Sequence, residues 1–180
     1  GPEGFRSKVL DARYAVADGK AGLTAALDDL RTRASAAIAN GANILVISDR
    51  GVGPKLAPIP SLLATGAIHH HLIREKTRTQ VGIIVESGDA REVHHIALLV
   101  GYGAAAVCPY VAFEAIEILA ASQRFGMSTE LGPDRVRENF ITACDKGIRK
   151  IMSKMGISTV ASYCGAQIFE AVGLGHGVVD

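Results

Sequence analysis

Two continuous apolar runs, Asn43-Ile44-Leu45-Val46-Ile47-Ser48 and Val81-Gly82-Ile83-Ile84-Val85-Glu86, constrain this chain more than any other feature. Each is too short for an ordinary helix, rich in β-branched residues and closed by a polar residue, which is the pattern of a parallel strand covered on both faces. Val9-Leu10 and Ala104 to Val107 read as weaker strands, and Ile157 to Val160 and Val178-Val179 as the weakest. Helical patterns fill the intervals. Gly22 to Ala39 places Leu23, Leu27, Leu30, Ala34 and Ile38 on one face and ends at Asn40-Gly41, residues that tolerate a left-handed cap. Pro60 to Arg74 carries a proline in its first turn, with Leu62, Leu63, Ile68 and Leu72 directed inward. Asp89 followed by Glu92 predicts a capping box for the helix that ends near Gly101. Tyr110 to Phe125 and Pro133 to Met155 complete the set.

Strand, helix, strand, helix, with about 35 residues between the first strands, predicts right-handed βαβ units. The expected fold is therefore α/β, a parallel β-sheet with helices on both faces, either an open sheet or an incomplete barrel. Length agrees, since 180 residues suit one α/β domain over 1–180. In either architecture functional groups gather beyond the carboxyl ends of the strands. Here those ends read Ser48-Asp49-Arg50-Gly51, Glu86-Ser87-Gly88-Asp89 and Cys108-Pro109-Tyr110.

Composition removes several function classes. Nineteen basic and eighteen acidic residues leave a formal charge of +1, without the cationic excess that brings a protein to nucleic acid or anionic lipid. Only 5% of residues are aromatic, and the three cysteines are widely spaced, which argues against stacked bases, a disulfide framework and a zinc site. The expected location is cytoplasmic. The chain opens Gly1-Pro2-Glu3-Gly4 without methionine, so it is expected to be processed or cut from a longer protein, with residues 1–2 a tag scar.

The motifs that carry chemistry are few. His69, His70 and His71 are consecutive on one helix and His94 and His95 on another. A helical triplet fans over about 200° and cannot close on one ion, so hydrogen-bonded packing is the expectation. A metal would require His70 or His71 to meet His94 or His95 beside Glu86. Glu86, Asp89 and Glu92 offer carboxylates at one strand end, although Asp89 and Glu92 are expected to cap a helix. Asp49 and Arg50 are expected to fix their own loop, with Arg50 able to hold a carboxylate bidentately. Lys146, Lys150 and Lys154 form a solvated stripe with Arg149 nearby, Cys164 reads as a structural thiol, and no G-x-x-x-x-G-K-[ST] or post-strand G-x-G-x-x-G occurs.

Three stretches go further. Ala57-Pro58-Ile59-Pro60-Ser61-Leu62-Leu63-Ala64 running into Ala67-Ile68-His69-His70-His71-Leu72-Ile73-Arg74, then Val85-Glu86-Ser87-Gly88-Asp89-Ala90-Arg91-Glu92-Val93-His94-His95, then Ser153-Lys154-Met155-Gly156-Ile157-Ser158-Thr159 with Ser162-Tyr163-Cys164-Gly165-Ala166-Gln167, closely resemble glutamate synthase. The likeness is to the central domain of its large subunit and covers nearly the whole chain in the same order. It implies a multidomain parent that hydrolyses glutamine in a glutaminase domain, passes ammonia through a tunnel, and aminates and reduces 2-oxoglutarate at FMN beside an iron–sulfur cluster. Electrons would come from an electron-donating subunit using a pyridine nucleotide, or from ferredoxin.

On that resemblance the chain is a non-catalytic structural and coupling domain. No catalytic, cofactor-binding or metal residue is carried over. Asp49, Arg50, Glu86, His69, His70, His71, His94 and His95 are the candidates for contact with neighbouring glutaminase and FMN domains or with the ammonia path. Residues 156–180 are expected to lead toward the FMN domain, and the excised piece is expected to self-associate. The alternative is a free-standing α/β domain with its own small-molecule or metal site at the strand ends.

Overall fold

A computed structural model describes residues 4–122 and 132–168, with Gly173 and Gly175. Four parallel strands, β1 (Ser7–Asp11), β3 (Ile44–Ser48), β5 (Gly82–Glu86) and β6 (Ala106–Cys108), form one sheet in that spatial order. Two three-residue strands that hydropathy does not mark, β2 (Arg13–Ala15) and β4 (Leu56–Pro58), pair antiparallel beside it. The helices are α1 (Gly19–Ala39), α2 (Ser61–Arg74), α3 (Val93–Gly101), α4 (Tyr110–Ala121), α5 (Pro133–Lys154) and the single turn α6 (Val160–Tyr163).

Register decides which residues are covered. Leu10, Ile47 and Val85 lie side by side across the sheet, as do Leu45 and Ile83, and all five are buried with Leu30, Ala34, Ile68, Leu72 and Leu99 of α1, α2 and α3. Each such aliphatic side chain contributes roughly 1.5–3 kcal/mol by leaving water. The cover is unequal, however. The alternate row Val9, Val46, Ile84 and Ala106 runs across all four strands on the opposite face, with Val9 59% exposed and Val46 and Ile84 half-buried. Neither Val46 nor Ile84 joins the helix-covered cluster. α1, α2 and α3 cover one and the same face, which sequential strand order with right-handed crossovers produces in a segment of a barrel.

A second apolar layer joins α3 to α5 through Ile96, Val100, Cys144 and Met152. Gly147 permits that approach, because a Cβ there would overlap the Val93 side chain. In the stretch after 156, Tyr163 is fully buried in this layer and donates to the Ala97 carbonyl at 2.9 Å.

Helix ends follow local rules with informative exceptions. α1 stops at Asn40-Gly41 as expected, with Gly41 at φ +85° and the Ala42 amide reaching back to Ala37. α2 ends the same way without glycine. Lys76 takes φ 59°, and the amides of Lys76 and Thr77 bond the carbonyls of Ile73 and Leu72. Ile68 and Leu72 point inward as predicted, whereas Leu63 is 44% exposed. The stretch Ile157 to Val160 forms no strand but leads into α6, and Val178-Val179 lies outside the described residues. No helix among the described residues is long and apolar enough to cross a membrane.

Candidate functional site

The carboxyl ends of the strands bring together the loops after β3 and β5 and the start of α4. Ser48 and Glu86 are paired in the sheet register, so their side chains share one face. The Ser48 hydroxyl donates to Glu86 Oε2 at 2.5 Å, and Arg50 Nε donates to Oε1 at 2.5 Å. Burial opposes ionisation of Glu86, yet these bonds from Arg50 and Ser48 hold its carboxyl below the usual range. The Arg50 guanidinium lies 4.0 Å from the centre of the Tyr110 ring and 3.9 Å from Glu114 of α4. Arg50 thus binds a carboxylate, as expected of it, but that carboxylate is the fold's own.

Asp49 faces inward. It is 4% exposed, and both of its oxygens accept the Gly88 amide, at 3.0 and 2.9 Å. Tyr110 also stands beside Asp49; burial first, and this carboxylate second, push the phenol up to about 12. Asp89 departs from the expected capping box. α3 starts at Val93, where Glu92 makes no side-chain cap bond, and Asp89 instead accepts the Ser61 amide at 3.1 Å, the first amide of α2. Ser87 donates to the other Asp89 oxygen, and the Ser61 hydroxyl donates to Ser87 at 2.8 Å. Although burial works against the charge, these bonds from Ser87 and Ser61 hold Asp89 below the ordinary carboxylate value. A carboxylate beside a helix N-terminus is stabilised there, and the helix it serves is the neighbour's rather than its own.

The histidines go elsewhere. His71 shares a hydrogen bond with Ser35 of α1 at 2.8 Å, and His95 Nδ1 accepts the Arg91 amide at 3.1 Å. His94 is exposed at the mouth of a cavity of about 250 Å³ formed by α3, α5 and Tyr163. His69 is buried and accepts from Arg78, with His70 edge-on at 5.2 Å. None of these rings comes together with Glu86, which is occupied by Arg50 and Ser48. Among the described residues no three His, Cys, Asp or Glu side chains are placed to hold a metal.

Sequence reasoning singled out Asp49, Arg50 and Glu86 but missed Tyr110 and the Ser61–Ser87–Asp89 relay, whose partners lie 26 to 28 residues apart. The polar strand ends themselves were the available signal. The residues here do not fit a flavin phosphate. Arg13 is taken by Asp11 at 2.7 Å and Arg50 by Glu86, and the carboxylates Asp49, Glu86 and Asp89 stand at the same strand ends, where they would repel a phosphate. Cys108 of β6, Cys144 of α5 and Cys164 just past α6 are not placed, among the described residues, to share a cluster.

The comparisons with known proteins agree with one another. A family model described as glutamate synthase central domain matches residues 1–175. The chain is 46% identical over 178 residues to a glutamate synthase [NADH] of Saccharomyces cerevisiae, covering 95% of this chain and 8% of that one. It is 49% identical over 154 residues to a glutamate synthase [NADPH] large chain of Bacillus subtilis, covering 86% and 10%. A ferredoxin-dependent glutamate synthase of Oryza sativa is 42% identical over 185 residues, covering 98% and 12%. The chain therefore spans about a tenth of the length of these relatives. Among solved structures, a mutant flavocytochrome b2 with pyruvate bound superposes with a TM-score of 0.55 at 18% identity, over 83% of this chain and 36% of that one. That likeness concerns the fold alone, and it is to part of a barrel.

Proposed function

The chain belongs to the family of glutamate synthase central domains, and from that premise we propose that it is the structural link between the glutaminase and FMN sites of a longer enzyme. The observation that carries the proposal is the sheet's bare face. Val9, Val46, Ile84 and Ala106 form an apolar row without helical cover, directly beneath the polar row Asp11, Ser48, Glu86 and Cys108. A contiguous apolar surface of this kind seeks cover. In a multidomain chain the neighbouring domains supply it.

The strand-end chemistry supports a linking role. Asp49, Glu86 and Asp89 are each committed to donors within the fold, which fixes the loops after β3 and β5 relative to α2 and α4. Loops held in this way present a defined rim to a neighbour. The paired charges at that rim leave little net field, which suits passage of neutral ammonia, since an unpaired carboxylate would trap ammonium. FMN, the iron–sulfur cluster and the electron donor, whether an electron-donating subunit or ferredoxin, belong on this reading to other parts of the enzyme.

Arg50→Ala in a full-length glutamate synthase carrying this sequence tests the link. Glutamine hydrolysed per glutamate formed is expected to rise, with the glutaminase itself still active. An unchanged ratio, with the variant protein folded, contradicts a coupling role for the strand-end rim.

A further inference from the structure

We propose that the cavity at the opposite, amino-terminal edge of the sheet, bounded by His69, His70, Gly101, Tyr102, Gly165 and Gln167, binds a small carboxylate. α2 runs from Ser61 beside Ser87 back toward Arg78 and Val81, and this cavity meets it at His69 and His70, more than two turns from the strand-end network. It measures about 240 Å³. Pockets for drug-sized ligands run about 300–1,000 Å³, so this one suits a short-chain acid.

The polar side chains that bound the cavity are His69, His70, Tyr102 and Gln167, none of them acidic. His69 is more than nine-tenths buried, at 8% exposure. Its Nδ1 accepts from Arg78 Nε at 3.0 Å, and because a guanidinium only donates, the ring proton stands on Nε2. The Cε1–Nε2 edge of the ring faces Gly165, which lines the same cavity, and Nε2 has no hydrogen-bond partner among the described residues. That N–H is not sealed in the core but opens to the cavity, where it can donate to an acceptor.

Charge selects which acceptor. The half-buried Arg78 also bonds the carbonyls of Val81 and Gly103 through its two terminal nitrogens, at 2.9 and 2.8 Å, and has no ion pair among the described residues. No carboxylate stands among the residues that bound the cavity. Burial first, then the Arg78 cation and His70, lower His69 to about 4, so the ring is neutral at physiological pH, with the Arg78 cation bonded to its far side. One fixed ring donor, the Gln167 amide and the field of the Arg78 cation behind the ring match a monoanionic carboxylate. Phosphate, with close to two negative charges and three strong acceptor oxygens, needs more donors than the cavity supplies.

Long-range proton–nitrogen spectra of the histidine-labelled chain near neutral pH test this, with acetate, succinate and phosphate added at matched ionic strength. The expected result is an Nε2–H tautomer for His69 and a saturable shift of its ring signals with acetate or succinate. His69→Phe should abolish the matching shift of the Gln167 amide, and Gln167→Ala, a change at an exposed residue, should weaken binding several-fold. Should His69→Phe fail to fold, the wild-type titration and Gln167→Ala decide. An Nδ1–H tautomer, shifts that grow linearly without saturating, or saturation by phosphate alone overturns the proposal.

Discussion

The two ends of the sheet use charge in opposite ways. At the carboxyl ends of the strands every carboxylate is answered: Asp11 by Arg13, Glu86 by Arg50, Asp49 by the Gly88 amide and Tyr110, and Asp89 by α2 and Ser87. At the amino-terminal edge a half-buried guanidinium meets only neutral acceptors, and the imidazole it fixes turns its N–H toward a cavity. The first end is an electrostatically closed frame, suited to holding loops still against a neighbour. The second is an open cationic hollow. Both grow from the same two βαβ units, so the difference lies in side chains at the helix ends rather than in topology.

The sharpest way to break the comparison is to crowd the hollow. Gly103 sits at φ +112°, and a Cβ there would lie 2.8 Å from His69 Cγ, against the ring that Arg78 fixes. Gly103→Ala combines that overlap with a disfavoured backbone, and is expected to cost about 3 kcal/mol in denaturant unfolding. A loss below about 1 kcal/mol would mean that the ring is not clamped. At the closed end, Asp49→Ala leaves the Gly88 amide without its acceptor. It is expected to cost about 2 kcal/mol by the same measurement. A smaller loss there than at an exposed pair such as Arg149–Asp145 would show that the frame does not depend on Asp49.

The parts legible in the sequence were those with a local signal. β3 and β5 are continuous apolar runs, and α1, α2 and α5 carry long periodic faces, so the α/β class and the element order could be read directly. The three-residue strands β2 and β4 are too short to show a period. Asp89 resembled a cap for its own helix because the spacing to Glu92 is right, but the amides it meets are decided by where α2 lands on the sheet. Arg78 gave no sign of its partners, since His69 and Gly103 lie on either side of a strand and are joined only by packing. The bare face of the sheet was equally hidden, because an apolar strand reads the same whether one face or both are covered.

The opposition between the two ends is tested most directly by unfolding free energy against pH, in the wild-type chain and in His69→Phe. His69 has its folded value lowered to about 4 from an ordinary 6.5, so the stability it contributes is present above pH 6.5 and is lost as pH falls toward 4. That loss is expected to reach about 3 kcal/mol in the wild type and to be absent in His69→Phe. Tyr110, raised to about 12, should give both proteins the same loss between pH 10 and 12, since its neutral form is the one the fold favours. A wild-type profile flat between pH 6.5 and 4, or one that His69→Phe leaves unchanged, would contradict the account.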